Sequence, residues 1–132
     1  MGRAKEEKKI LRDLRKLIEG EVLFDELSRT IYGSAASIYR IRPLGIVKPR
    51  HKMDIINLVK YASRTGIPLI PRGGGTSRTG NELGEGILVD FSKWINKILE
   101  FDYRERWVRV QPGLILASLN KFLKPYQLFF PI

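Results

Sequence analysis

The residues carrying the most chemistry in this chain are Pro71, Arg72, Gly73, Gly74, Gly75, Thr76, Ser77, Arg78, Thr79 and Gly80, a triple glycine followed by hydroxyls and one more glycine. Glycine has no Cβ and reaches positive φ at little cost, so successive backbone N–H groups can turn toward one concavity and hold an anion. Phosphate is the guest such a nest suits. Thr76, Ser77 and Thr79 add hydroxyls at short spacing, while Arg72 and Arg78 bring positive charge beside the loop. Without side chains in the way, a pyrophosphate can also approach the backbone closely.

Spacing excludes two familiar nucleotide loops. A Walker A loop needs Lys and then Ser or Thr after its closing glycine, yet Gly80 is followed by Asn81 and Glu82. A Rossmann fingerprint needs glycine where Arg78 stands and should open a helix, whereas this segment runs through Gly84 and Gly86 into Ile87-Leu88-Val89. The plainer reading, a flexible turn, leaves three hydroxyls and two arginines unexplained.

Other reactive groups are sparse. The chain has no cysteine, which removes disulfides, thiolate nucleophiles and thiolate metal sites together, and the single histidine, His51, cannot build a metal cluster. No metal site is expected, and no residue qualifies as a catalytic base. His51, just after Pro49, reads as a surface residue at the front of a helix. A cysteine-free chain fits a reducing compartment, so the expected location is cytoplasmic.

The net charge of +10 favours anionic partners and permits peripheral attachment to anionic lipid, although the basic residues are scattered. The densest stretch, GRAKEEKKILRDLRK, reads as a solvated helix face. An alternative from another class is a small basic module for RNA or another polyanion, with Tyr32, Tyr39, Tyr61 and Trp94 among the basic residues. These aromatics form no interleaved basic stripe, so no nucleic acid partner is expected. No stretch reaches the roughly 20 apolar residues of a membrane-spanning helix.

The elements that must position the glycine loop follow from periodicity. From Arg3 to Glu19, Ile10, Leu14 and Leu17 fall at helical spacing, Leu11 and Ile18 widen the stripe, and Gly20 supplies a stop. Residues 21–43 show no sustained period and read as irregular with room for one short helix. LGIVKP is a buried strand ended by Pro49. The next helix places Ile55, Leu58, Val59 and Ala62 on one face, with Asp54 near its start and Gly66 and Pro68 at its end. PLIP, at 68–71, is a second short strand, which completes a βαβ unit with parallel strands and a right-handed crossover.

Beyond the loop, GILVDF reads as another buried strand, and KILEFD with RWVRVQPG as a hairpin turned at Tyr103 to Glu105. A last helix spans about Leu114 to Lys124, aligning Ile115, Leu119 and Phe122 before Pro125 closes it. The fold class expected is therefore α+β, a small parallel βαβ unit followed by further short strands and a hairpin with flanking helices. Residues 1–43 form an N-terminal helix and irregular lead-in, and 44–132 the first part of a domain, carrying the loop and reading as truncated. The apolar end, YQLFFPI, reads as the edge of a cut domain, and its phenylalanines ask for cover from self-association or a partner chain.

From Arg42 to Pro131 the sequence closely resembles the FAD-linked oxidases that include glycolate oxidase and D-lactate dehydrogenase. The resemblance rests on PRGGGTSRTG followed in order by GILVDFSKWINKILEFD and VRVQPG, and extends back into YGSAASIYRIRPLGIVKPR. It implies the first part of an FAD-binding domain whose loop wraps the FAD pyrophosphate with backbone amides. That role falls on Arg72, Gly73, Gly74, Gly75, Thr76 and Ser77, with Pro71 and Gly80 alongside. Some relatives carry a flavin-linking histidine about where Thr76 stands, so here FAD is expected to be held non-covalently. The implied activity of the parent enzyme is oxidation of a 2-hydroxy acid by hydride transfer to FAD. The family's second glycine- and alanine-rich segment and its substrate domain are absent from these 132 residues, so the catalytic groups are expected elsewhere and this piece alone is expected to be inactive.

Overall fold

A computed structural model of the chain describes residues 2–131, and Ile132, the last residue of the apolar end, lies outside them. The elements in order are α1 (Gly2–Leu17), β1 (Glu21–Leu23), α2 (Glu26–Tyr32), β2 (Gly45–Lys48), α3 (Lys52–Thr65), β3 (Leu69–Arg72), β4 (Ile87–Asp90), β5 (Ile98–Asp102), β6 (Trp107–Val110), α4 (Leu116–Leu123) and a 3-10 turn (Lys124–Tyr126). This is the α+β class expected.

Two sheets result: a four-stranded one in the order β1-β2-β4-β3 and the β5-β6 hairpin. β4 runs parallel to β2 and β3, and β1 pairs antiparallel with β2. The two strands read as a βαβ unit are indeed parallel, but they are not neighbours, because β4 lies between them. Composition explains the order. All four residues of β4 are buried, as a central parallel strand requires. β3 contains Pro71, which has no N–H for a second neighbour, and it forms a half-exposed edge.

The core lies between this sheet and helices α1 and α3, where Ile10, Leu14, Ile18, Val22, Val47, Leu58, Tyr61, Ile87 and Val89 cluster. Val47, Ile87 and Val89 point one way, while Ile46 and Leu88, register partners facing the other way, are also fully buried. The expected stripes are rotated slightly. On the α1 face the buried positions are Ile10 and Leu14, continued by Ile18 just past the helix end, with Leu17 partly exposed; in α3 the buried apolar positions are Leu58, Tyr61 and Ala62, with Val59 exposed. In α4 Leu119 and Leu123 face inward and Ile115 faces out, so the expected alignment of Ile115 with Leu119 is not the packed face.

The lead-in is more ordered than periodicity suggested. β1 is too short to display a pattern, and α2 is capped by Asp25, whose side chain accepts the Ser28 N–H. Asp54 ties this segment to the sheet: its buried carboxylate accepts the backbone N–H groups of Glu19 at 2.9 Å, Gly20 at 3.0 Å and Arg50 at 2.8 Å. His51, read as a surface residue, is half-buried and is the N-cap of α3, its ring accepting the Asp54 N–H.

Candidate functional site

The three parallel strands end together, bringing Lys48, Arg72 and Asp90 to one carboxyl edge, and the glycine-rich segment leaves β3 at that edge. The carboxyl ends of parallel strands are the usual place for a ligand in open α/β sheets.

The loop divides into two unlike halves. Among the described residues, the backbone N–H groups of Gly73, Gly74, Gly75 and Thr76 meet no acceptor. Gly73 and Gly74 are uncrowded, since an added Cβ would meet Pro112 O at 3.7 Å or Thr76 Cγ2 at 3.7 Å, both ordinary contact distances. The second half is knitted by its own side chains. The Ser77 N–H donates to Glu82 Oε1 at 3.0 Å, Ser77 Oγ lies 3.1 Å from Thr79 Oγ1, and Thr79 Oγ1 donates to Asn81 at 3.0 Å.

Two of the loop glycines, Gly75 at φ 69° and Gly80 at φ 75°, adopt the left-handed conformation, whereas Gly73 and Gly74 do not. At Gly75 glycine is favoured twice over. Besides its φ, a Cβ there would sit 2.4 Å from Nη2 of Arg72.

That close approach reveals what Arg72 does. Its guanidinium donates to the carbonyls of Tyr32 at 3.2 Å and Ser34 at 3.0 Å and lies 5.2 Å from the centre of the Tyr32 ring. The charge expected beside the phosphate loop is thus turned beneath it, where it clasps the lead-in. The Arg72 backbone belongs to the sheet, its carbonyl accepting from Phe91 N at 3.1 Å. Pro71 lies within β3 as well, and Gly80 packs against Tyr39 and Ser37.

Residues outside the expected set complete the site. Ala36 N donates to Gly75 O at 3.2 Å, so segment 34–39 forms a second wall of the loop. Tyr32 donates its hydroxyl to Asp90 Oδ2 at 2.6 Å, and Asp90 Oδ1 accepts from Ser92 N at 2.8 Å and Ser92 Oγ at 2.6 Å. Burial, followed by the Asp90 hydrogen bond, raises the Tyr32 phenol above its ordinary pKa. Burial alone would depress the Lys48 ammonium, but its hydrogen bond to Tyr32 and the charges of Glu21 and Asp90 leave it raised. Glu21 is lowered, its hydrogen bond to Lys93 outweighing burial, with Lys48 adding to the effect. Periodicity could not find these residues. The only signal for segment 34–39 was the resemblance of YGSAASIYR.

Comparison with known proteins gives this geometry a family. The sequence profile of the FAD binding domain matches residues 43–132. The D-2-hydroxyglutarate dehydrogenase of Pseudomonas putida is 41% identical over 117 residues, covering 84% of this chain and 11% of that protein. The glycolate oxidase subunit GlcD of Bacillus subtilis is 31% identical over 118 residues, covering 86% of this chain and 25% of that protein. Among solved structures, 6-hydroxy-D-nicotine oxidase from Arthrobacter nicotinovorans superposes with a TM-score of 0.68 at 26% identity, over 83% of this chain and 24% of that one. The chain thus spans about a tenth to a quarter of the length of these proteins. Bare amides at the carboxyl edge of the sheet and a profile match over most of the chain lead to one conclusion: this chain belongs to the FAD binding domain family, and its cofactor is FAD.

Proposed function

We propose that the chain binds the pyrophosphate of FAD through the loop amides of Gly73, Gly74, Gly75 and Thr76, as part of an oxidoreductase acting on a 2-hydroxy acid. The observation carrying this reading is the set of four consecutive N–H groups without an internal acceptor among the described residues, at the carboxyl edge of a parallel sheet. A buried or crowded loop would satisfy its own donors. At Gly73 and Gly74 a Cβ would meet one protein atom each, at 3.7 Å, so the glycine backbone there is uncrowded and can be approached by a diphosphate.

Each nearby residue has a part in this. Gly75 lets the chain turn over the Arg72 guanidinium, which pins Tyr32 and Ser34 and so keeps the loop against segment 34–39. Thr76 presents a hydroxyl and no imidazole, which supports non-covalent attachment. Lys48 adds positive charge at the same edge, while the Arg72 guanidinium lies beneath the loop on the Tyr32 and Ser34 carbonyls. Bound FAD supplies the acceptor for the hydride of the substrate. None of the residues at this edge is assigned as the base that takes the substrate's hydroxyl proton.

The substrate class rests on the named relatives, which act on D-2-hydroxyglutarate or glycolate. An anaerobic assay of the full-length parent tests it: FAD is bound, and its oxidised absorbance bleaches on addition of D-2-hydroxyglutarate, D-lactate or glycolate. Bound flavin that none of the three reduces sinks the substrate assignment. A Gly74→Ala parent that keeps its fold and its full FAD affinity sinks the loop assignment.

A further inference from the structure

Glu82 stands inside the glycine-rich segment and is only 6% exposed. A turn brings it there, for Leu83 N donates to Gly80 O at 3.0 Å, with Gly80 at φ 75° reversing the chain so that residue 82 folds back over residue 77. The carboxylate then accepts the Ser77 N–H through Oε1 at 3.0 Å. To a backbone amide, a carboxylate oxygen offers what a phosphate oxygen offers, a charge-assisted acceptor. The amide that follows the four bare ones is therefore already holding an anion, and that anion belongs to the protein.

We propose that Glu82 is a positioning residue of the loop. It occupies the Ser77 N–H as an internal anion, confines an incoming phosphate to the amides of Gly73–Thr76, and restrains by its charge how tightly the loop binds. The proposal rests on the loop being the diphosphate site and refines it, because it removes Ser77 from the backbone ligands that the resemblance implies. Three features support a permanent resident over a passing contact: the carboxylate is buried, the turn that delivers it is hydrogen-bonded, and the Ser77 hydroxyl is engaged with Thr79 instead of reaching outward. A buried negative charge is screened far less than a surface one, so its repulsion reaches a phosphate held on the neighbouring amides.

The test uses the 15N-labelled chain of 132 residues titrated with inorganic pyrophosphate, following each backbone amide by NMR. In the unaltered chain the amides of Gly73, Gly74, Gly75 and Thr76 shift along one saturation curve while Ser77 stays in place. Glu82→Gln keeps an acceptor oxygen but loses the charge, and there the same amides report binding tighter by about five- to tenfold, the size expected for one like charge nearby in a partly shielded site. Glu82→Ala uncovers the Ser77 N–H, which joins the responding set. If Ser77 moves with its neighbours in the unaltered chain, or if Glu82→Gln binds no tighter while Gly73–Thr76 still respond, Glu82 does not have this role and the loop assignment survives. If Gly73–Thr76 fail to respond in either chain, the loop assignment itself is wrong and the role of Glu82 falls with it.

Discussion

The Tyr32 hydroxyl donates to Oδ2 of Asp90 at 2.6 Å, joining the end of α2 to the end of β4 across 58 positions of sequence. The lead-in is thereby bonded to the central strand at the edge where the glycine loop begins. Tyr32→Phe keeps the ring under Arg72 but removes this donor, and we expect a loss of about 1–2 kcal/mol in urea denaturation. The pH dependence has a definite sign. A phenol whose pKa is raised by folding stabilises the fold fully below its ordinary value of 10.0, and the contribution disappears as pH rises through the folded value. The unaltered chain should therefore lose stability above pH 10 more steeply than Tyr32→Phe; parallel slopes would contradict it.

Two adjacent glycines should respond in opposite ways. At Gly74 an added Cβ meets only Thr76 Cγ2 at 3.7 Å, so Gly74→Ala should melt like the unaltered chain yet place a methyl where phosphate approaches, weakening pyrophosphate binding at least tenfold by close-contact loss. At Gly75, φ is 69° and a Cβ would stand 2.4 Å from Arg72 Nη2, so Gly75→Ala should cost about 1–3 kcal/mol of stability. Thermal melts and pyrophosphate titrations of the two variants separate the effects.

Asp54 is 1% exposed and accepts three backbone N–H groups from two separate segments. Asp54→Ala leaves those donors buried without an acceptor, and a destabilisation of about 3 kcal/mol or more is expected in denaturant. A cost under about 1 kcal/mol would mean that water replaces the carboxylate with little penalty.

Glu21 should contribute to the acid limb of the stability curve. Its folded pKa lies below the ordinary 4.5, chiefly through Lys93, so the stabilisation is present above 4.5 and is lost as pH falls through the folded value. The side chain is about one-third exposed, so solvent reduces the effect to a few tenths of a kcal/mol. Denaturation midpoints of Glu21→Gln should lie slightly below those of the unaltered chain near neutrality and converge with them in acid. A constant offset across that range would show that Glu21 acts by packing alone.

Much of this protein was determined by local sequence. Ile10 and Leu14 at helical spacing, the short apolar runs around Val47 and Val89, and a triple glycine after PLIP establish helix, parallel strands and loop, because each signal is a period or a turn preference confined to neighbouring residues. Tertiary structure decided what those signals do not encode. Insertion of β4 between β2 and β3 depends on which strand can be buried on both sides. β1 became a strand by pairing with β2, since three residues carry no pattern of their own. The charge of Arg72 turned inward because two carbonyls of a distant segment needed a donor, and Ser77 lost its free amide because a turn returned Glu82 to it. Charge and hydroxyls in a sequence say that an anion can be bound; only the folded chain decides which donors are still open to receive it.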